Sequence, residues 1–312
     1  MTQKLIVSPG PHITAEDTTQ KIMQRVSLAL MPALAVSVLV FGFAPLALTA
    51  ISVLSCVFFE YAFCRMMKRE VPISDWSAVV TGILLAFNVP ATLPWWMLVV
   101  GAFIAIVIVK QLFGGLGYNF ANPAIVARIA LSVGFAEKMS NTPFPESGVD
   151  AFSSATPMAV DAGAAAYRAL LLGTHGGALG ETCALALIVG GIYLVATKVI
   201  SPMIPVSYLG TVAVISLLAG KDPIYQLLSG GLLLGSIFMA TDYVTSPTTR
   251  KGKLVFGIGL GVITCAIRFL GTIPEGVSFA ILLMNLLVPY IEVLTRQDRL
   301  GIAKAKKGGA GR

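Results

Sequence analysis

The chain has 312 residues, of which 56% are hydrophobic and only 12% charged, and its mean hydropathy is +0.85. A soluble domain carries about 25% charged residues, so a globular protein of this length could not bury so much apolar surface. These totals predict a polytopic membrane protein in contact with lipid. The net charge of +7 is interpreted as the Lys and Arg excess of cytoplasmic loops, and not as a nucleic-acid-binding surface.

Apolar runs predict an all-α protein with about ten transmembrane helices. The third, fifth and seventh runs have only 14 or 15 residues, whereas a helix needs roughly 20 to cross a hydrocarbon core of about 30 Å. Short apolar segments bounded by Pro are typical of broken helices, whose ends line binding sites near the middle of the membrane. The ten segments are 25–43, 46–66, 76–89, 95–113, 122–136, 181–200, 206–219, 227–241, 254–271 and 276–295.

The distribution of basic residues predicts the orientation of the chain. With the N-terminus inside and ten crossings, seventeen Lys and Arg residues fall on the cytoplasmic side, Lys110 among them. The outer side keeps three, Lys138, Arg168 and Lys221. This positive-inside bias predicts that both termini are cytoplasmic and that the polar segment 137–180 is extracytoplasmic.

The ten predicted spans divide into two halves of five. An odd number of spans in each half makes the second half enter the membrane from the opposite side, so we expect two inverted five-helix repeats. Weak echoes in the sequence are NVP with KDP, and NFANP with DYVTSP. The predicted parts are the cytoplasmic segment 1–24, the first half 25–136, the outer loop 137–180, the second half 181–295 and the cytoplasmic tail 296–312.

The outer loop contains the small-residue, hydroxyl-rich stretch DAFSSAT. By composition alone this is an ordinary surface loop, because Ser, Thr and Asp favour turns. The stretch also resembles the motif D-x-x-[ST]-G-A-[TS], which carries FMN linked through its phosphate to a Thr side chain. Asp150, Ser153, Ala155 and Thr156 match that motif, and Ser154 stands where Gly is usual. The resemblance implies covalent FMN on Thr156, attached outside the cytoplasm by a flavin transferase.

Longer stretches of the chain carry a second resemblance. These are SPGPHI, TTQKIMQRVSLALMPAL, GGLGYNFANPAIVAR and MATDYVTSP. They are similar to the family that contains the D subunit of the Rnf electron-transport complex and the B subunit of the sodium-pumping NADH:quinone oxidoreductase. The similarity covers essentially the whole chain, and the short N-terminus favours the Rnf side. It implies an electron-transfer subunit of a bacterial or archaeal cytoplasmic (inner) membrane.

The complex that the resemblance implies moves electrons between reduced ferredoxin and NAD⁺ and couples this to Na⁺ or H⁺ transport. The implied partners are the A, B, C, E and G subunits, of which the G subunit, bearing its own covalent FMN, is the most direct. This chain has no nucleotide-binding glycine fingerprint and no cysteine cluster, so we expect no catalytic or metal-ligating residue in it. Four scattered cysteines are interpreted as packing residues: Cys56, Cys64, Cys183 and Cys265.

Two asparagines in YNFANP, Asn119 and Asn122, precede a short predicted span. Helix capping alone explains an Asn before Pro. In the related B subunit the matching asparagines lie near a non-covalent riboflavin, so the resemblance also implies a riboflavin site here. Weaker candidates in the echoing stretch are Asp242, Thr245 and Ser246.

Three ionisable residues are expected at membrane depth: Glu60, Arg128 and Arg268. Charged groups there are costly, by about 3 kcal/mol on insertion scales, and indicate function. Arg128 is a candidate either for holding a flavin phosphate, where a cation would raise the flavin potential, or for an ion pair with Glu60. Arg268, near the outer end of its span, is expected to snorkel towards the interface.

Two alternative functions stay open at this point. Ten spans, inverted repeats and Pro-broken helices are also typical of a channel or of a secondary transporter of a small solute. The other alternative is the corresponding subunit of the sodium-pumping quinone reductase. The motif around Thr156 distinguishes an electron carrier from a transporter, which has no use for a flavin attachment site.

Overall fold

The computed structural model describes residues 17–140, 164–173, 175–271 and 276–296, and all regular structure in these ranges is helical. Four of the helices are long and apolar enough to cross a membrane by length and composition: the first two and the last two. The prediction of an all-α polytopic membrane protein is confirmed. In chain order the helices are α1 (Thr19–Phe41), α2 (Ala44–Met66), α3 (Ser77–Phe87), α4 (Trp95–Phe103), α5 (Pro123–Gly134), α6 (Ala136–Ser140), α7 (Ala164–Leu172), α8 (Ala184–Ala196), α9 (Met203–Leu218), α10 (Pro223–Leu228), α11 (Leu232–Leu234), α12 (Arg250–Leu270) and α13 (Val277–Thr295).

Each of the ten predicted segments coincides with a helix or with a broken helix. The first segment begins six residues earlier than 25, and the eighth begins four residues earlier than 227 and is interrupted at 229–231, between α10 and α11. The interruption contains Gly230, which adopts a left-handed φ of 66° that breaks a helix. The third and fifth segments are confirmed as short helices, α3 and α5.

Two helices are extended by π-helical turns. α4 continues as π1 (Ile104–Gln111), and α11 continues as π2 (Gly235–Met239). Both end on hydrogen bonds that span five residues, from Leu112 N to Val107 O (3.0 Å) and from Ala240 N to Gly235 O (2.7 Å). Such turns are rare and frequently mark functional sites, because they rotate the following side chains relative to a regular helix.

Two short helices begin with the same local signal, an Asx residue followed by Pro. Asn122 caps α5 and Asp222 caps α10, and each side chain accepts hydrogen bonds from the second and third backbone N–H groups after it. Asn88, in contrast, follows the end of α3. Lys221 likewise comes just after the end of α9, so NVP and KDP both follow the end of a helix, as the echo predicts, although KDP also begins α10.

The two halves pack in a similar way. In the first half α2 packs on α4, as α9 packs on α12 in the second, and the contacts of α1 with α8 and of α5 with α13 join the halves. Where α1 crosses α8, Gly190 lies against the backbone carbonyl of Ala29, an approach that a Cβ would block. This arrangement fits a repeat of five segments, whose inversion stays a prediction.

The outer surface of the helices is apolar, as contact with lipid requires. Leu39, Leu218, Leu270 and Leu294 are exposed by 84%, 82%, 88% and 84%. Among soluble proteins so many large exposed hydrophobic side chains would form an aggregating surface.

The predicted outer loop is partly structured and partly buried. It contains α7, and residues 175–180 are buried against the C-terminal end of α3. There Leu179 N donates to Val89 O (3.0 Å) and Gly180 N donates to Phe87 O (2.9 Å). These bonds satisfy carbonyl groups that the end of a helix leaves open, so this part of the loop belongs to the protein core.

Candidate functional site

A partly open cavity lies among the ends of the short helices, and both π segments contribute to its wall. Most of the wall is apolar, and the polar groups are few, as in typical cofactor sites. The lining residues are Ile22, Met23, Val26, Ser77, Val80, Thr81, Leu84, Lys110, Leu116, Asn119, Asn122, Pro123, Leu194, Val199, Ile200, Ile237, Phe238, Thr241, Asp242, Tyr243 and Val244.

Three residues predicted to contact a flavin, Asn119, Asn122 and Asp242, line this cavity together. The tertiary fold thus brings two distant parts of the chain to one place. Thr245 and Ser246 are buried nearby but do not line the cavity. Of the three weaker candidates, only Asp242 lies at the cavity wall.

Asn122 also has a structural role. Its Oδ1 accepts from Ala124 N (3.0 Å) and Ile125 N (3.4 Å), which caps α5, and its Nδ2 donates to Met239 O (3.3 Å). The capping that the sequence suggested is confirmed. An amide carries two N–H donors and two acceptor lone pairs, so Asn122 keeps hydrogen-bonding capacity beyond these contacts.

Asn285 on α13 also makes hydrogen bonds to this region. In the amide orientation that satisfies both neighbours, it donates to Thr245 O (3.1 Å) and accepts from Asn122 N (3.2 Å). Asn119, which is 8% exposed, donates through Nδ2 to Ala121 O (3.0 Å). These bonds hold the two candidate amides of the cavity in defined positions.

Asp242 lies between π2 and α12 and is half-buried. Burial raises the pKa of its carboxyl above the ordinary value. Hydrogen bonds from the Thr245 hydroxyl (3.1 Å) and from the backbone N–H of Val244 (3.5 Å) oppose that shift. The Asp242 carboxyl is therefore a candidate hydrogen-bonding partner for a molecule in the cavity.

Lys110 is the cation at the cavity wall, a position that the sequence did not indicate. It is 2% exposed, and its Nζ donates to Glu60 Oε1 (2.6 Å) and to Ser77 Oγ (2.6 Å). Gln111 donates to the same carboxylate oxygen (2.8 Å). The assignment of Lys110 to the cytoplasmic loops was therefore wrong, because it lies inside the protein on π1. The predicted cytoplasmic count falls from seventeen to sixteen.

Arg128 has a different partner from the one predicted. Its Nη1 donates to Glu181 Oε1 (2.9 Å) and to Asn88 Oδ1 (2.7 Å), whereas Glu60 pairs with Lys110. The predicted ion pair of Arg128 with Glu60 was wrong, because α5 presents Arg128 to residue 181 rather than to α2. Arg128 also does not line the cavity, so nothing in the fold supports a contact with a flavin there.

Arg268 is half-buried and makes hydrogen bonds to the backbone near the end of α10. Its Nη1 donates to Gln226 O (2.8 Å) and its Nη2 to Ser229 O (3.2 Å). The guanidinium thus satisfies carbonyl groups where α10 ends, which lack partners within their own helix. Snorkelling of Arg268 towards the interface stays a prediction.

Five predicted residues of the covalent flavin motif lie outside the described residues: Asp150, Ser153, Ser154, Ala155 and Thr156. The four cysteines are buried and form no disulfide, as packing residues would, and Cys183 also caps α8 by accepting from Ala186 N (3.4 Å). Within the described ranges no group of three or more His, Cys, Asp and Glu residues could hold a metal ion.

The wall of the cavity has the mixed polarity that suits the faces and edge of a flat heterocyclic ring. Leu84, Ile237 and Phe238 provide apolar wall, and Asn119 and Asn122 provide amide groups that both donate and accept. An isoalloxazine ring has apolar faces and an edge on which donors and acceptors alternate. The residues present therefore fit a non-covalent flavin.

Comparisons with known proteins give a consistent assignment. The family described as NQR2, RnfD, RnfE matches residues 6–301. The D subunit of the Na(+)-translocating ferredoxin:NAD(+) oxidoreductase complex of Acetobacterium woodii is 48% identical over 310 residues, which cover 97% of each chain. The D subunit of the proton-translocating ferredoxin:NAD(+) oxidoreductase complex of Clostridium ljungdahlii is 38% identical over 316 residues, covering 95% of this chain and 96% of the relative. The D subunit of the ion-translocating oxidoreductase complex of Alcanivorax borkumensis is 35% identical over 338 residues, covering 97% and 99%. The chain belongs to the NQR2, RnfD, RnfE family.

Proposed function

We propose that this chain is the membrane electron-transfer subunit of an ion-translocating ferredoxin:NAD⁺ oxidoreductase complex. In this proposal FMN is bound covalently to Thr156, and a second, non-covalent flavin, of which riboflavin is the expected form, occupies the cavity. The observation that carries the proposal is the convergence of Asn119, Asn122 and Asp242 on one cavity. Near full-length similarity to relatives named as members of such complexes supports it.

The chain contributes position and electrostatics to the reaction and is not catalytic on its own. Bound flavins supply the electron-transfer chemistry, and the protein orients them and excludes water. Asn119 and Asn122 would hold the polar edge of the ring, while Leu84 and Phe238 would cover its faces. The amides are themselves held by backbone groups, so they are preorganised for this role.

The proposal includes the remaining members of the complex as partners. The A, B, C, E and G subunits complete the assembly, the G subunit lies nearest in the electron path, and a flavin transferase attaches the FMN. The relatives are named for different ions, Na(+) in one and proton in another, so the proposal specifies ion translocation without choosing the ion. The chain lies in the cytoplasmic (inner) membrane with both termini inside and Thr156 outside.

Thr156→Ala is expected to abolish covalent flavin and leave the folded protein in the membrane, because the substitution removes the hydroxyl that forms the phosphoester and, besides it, one methyl group. The measurement is in-gel ultraviolet fluorescence of the denatured chain after co-expression with a flavin transferase. Thr156→Ser is the matched control, since it keeps a hydroxyl at the same position and fits the motif. Fluorescence that persists in the Ala variant would contradict the assignment.

Asn122→Ala is expected to weaken non-covalent flavin binding about tenfold, roughly 1.4 kcal/mol, because the hydrogen bond from its remaining N–H donor to the ring is lost. The measurement is the flavin released by acid extraction of the purified chain. Removing the cap of α5 also costs about 1 kcal/mol of stability. Asp222→Ala is the matched control, since Asp222 caps α10 in the same way and does not line the cavity. Equal flavin loss in the two variants, or no loss in either, would exclude the cavity as the flavin site.

A solute channel or transporter is the second candidate function. The cavity between broken helices favours it, because transporters bind substrates at such places. It predicts that no flavin copurifies with the chain, so the two experiments above distinguish it from the electron carrier.

A further inference from the structure

Lys110 brings a positive charge to the wall of the cavity from an unusual position. It lies in π1, and three separate elements meet around its ammonium group: Glu60 comes from α2, and Ser77 begins α3. Lys110 and Ser77 line the cavity, whereas Glu60 does not. The ion pair is therefore oriented, with its cationic end towards the cavity and its carboxylate behind.

The hydrogen bonds around Ser77 define the role of the lysine. The Ser77 hydroxyl donates to Asp75 Oδ1 (2.6 Å), so its lone pairs accept from Lys110 Nζ (2.6 Å). Lys110 also donates to Glu60 Oε1 (2.6 Å). An ammonium group has three N–H donors, and among the described residues two of them have these acceptors. The third is available to a molecule in the cavity.

We infer that Lys110 is the residue that sets the reduction potential of the flavin in this cavity, which deepens the proposed function and rests on it. Uptake of two electrons and one proton gives an isoalloxazine ring one negative charge. A cation at the cavity wall stabilises that charge more than it stabilises the neutral oxidised ring, and so favours reduction. In this low-dielectric interior the interaction is screened less than in water. Glu60 limits the effect, because its opposite charge lies 2.6 Å from the ammonium nitrogen.

A purely structural role is the competing explanation, since buried ion pairs also hold helices together. The two explanations differ in the sign that they predict for the potential shifts of the two single variants. If the pair only holds α2, π1 and α3 together, loss of either partner disturbs the cavity in the same way. If Lys110 acts on the flavin by its charge, removing the cation and removing its counter-charge shift the potential in opposite directions.

The test uses the full-length chain with Thr156→Ala, so that only non-covalent flavin contributes to its spectrum. Spectroelectrochemical titration, in which an electrode supplies the electrons through mediators, gives the midpoint potential. Lys110→Met is expected to shift the equilibrium towards the oxidised ring at least tenfold, a decrease of about 30 mV for two electrons. Glu60→Gln is expected to raise the potential by a smaller factor, because the Glu60 carboxylate lies behind the ammonium group and does not line the cavity. Lys138→Met removes an exposed lysine on α6, away from the cavity, and should leave the potential unchanged.

The double variant Lys110→Met with Glu60→Gln keeps the test decisive if the single lysine variant does not fold. It leaves no uncompensated charge, so its fold should be retained. The expected order of potentials is Glu60→Gln highest, then the unmodified pair, then the double variant, then Lys110→Met. Shifts of the same sign in both single variants, or a double variant with an unchanged potential, would overturn the inference. Absence of flavin from the chain with the intact pair would instead show that the proposed cofactor is wrong, and the inference would fall with it.

Discussion

Arg128→Met is expected to lower the apparent unfolding midpoint of the purified protein by roughly 10 °C. Removing one partner of a buried ion pair costs about 3–5 kcal/mol, and each kcal/mol corresponds to about 2–4 °C in a chain of this size class. Arg128 and Glu181 are 5% and 3% exposed, and Nη1 lies 2.9 Å from the carboxylate oxygen. The variant takes the cation away from a carboxylate that remains inside the protein.

The packing around this pair explains why the structure cannot relax easily. Gly231, between α10 and α11, lies directly against the Glu181 carboxylate, and a Cβ there would be 3.2 Å from Arg128 Nη1. Asn88 at the end of α3 accepts from the same nitrogen (2.7 Å). The pair thus joins segments of both predicted halves, and its loss should separate them.

The control is the double variant Arg128→Met with Glu181→Leu, which removes both charges. Replacing a whole buried pair with apolar side chains is often neutral or stabilising. The unfolding midpoint of the double variant should therefore be close to that of the unmodified protein. Glu292→Gln, on an exposed carboxyl that accepts from Thr248, should change little. A double variant as unstable as Arg128→Met would show that the pair is not the source of the stability.

Gly261→Ala is expected to destabilise the protein by about 1–3 kcal/mol, although Ala is a better helix former than Gly. The added Cβ on α12 would lie 2.5 Å from Thr211 Cβ and 3.2 Å from Tyr208 O on α9. Thr211 Cβ and the Tyr208 carbonyl can move only with their backbone, so the two helices must separate, as in other overpacked cores. Gly257, four residues earlier, lies against Ser207, so this is the small-residue spacing that lets membrane helices approach closely.

The matched control is Gly210→Ala. Gly210 lies on α9 itself, and a Cβ there would meet no atom within 4 Å. The substitution should be neutral or stabilising by up to about 1 kcal/mol, from helix propensity alone. Thermal unfolding of both variants in the same detergent gives the comparison. Changes of the same sign and size at Gly261 and Gly210 would exclude close packing of α9 on α12 as the cause.

The helices were largely predictable because their signals are local. Each of the ten apolar runs coincides with a helix or a broken helix, and Pro123 and Pro223 mark helix starts in the fold. The break at 229–231 was not predicted, because the run from 227 to 241 was interpreted as one apolar span, although Ser229, Gly230 and Gly231 are weak helix formers and Gly230 adopts a left-handed φ. The burial of 175–180 was missed because the stretch is rich in Gly and reads as a surface loop.

The candidate site was only partly predictable. Asn119 and Asn122 were found from the motif that contains them, and the fold places both at one cavity. Lys110 looked like an ordinary basic residue at the end of a span, and Glu181 like the boundary of another. A clue was available for both, because each directly adjoins an apolar run in a chain with few charges.

By itself, the sequence determined that this is a helical membrane protein, where its apolar segments lie and which stretches resemble flavin-bearing proteins. These properties depend on composition, on local turn and cap residues and on short motifs. Only the tertiary structure decided that Lys110 pairs with Glu60, that Arg128 pairs with Glu181 and that the lysine reaches the cavity. The partners in each pair are about 50 residues apart on different segments, so their meeting depends on how the helices rotate and pack, which no local pattern encodes.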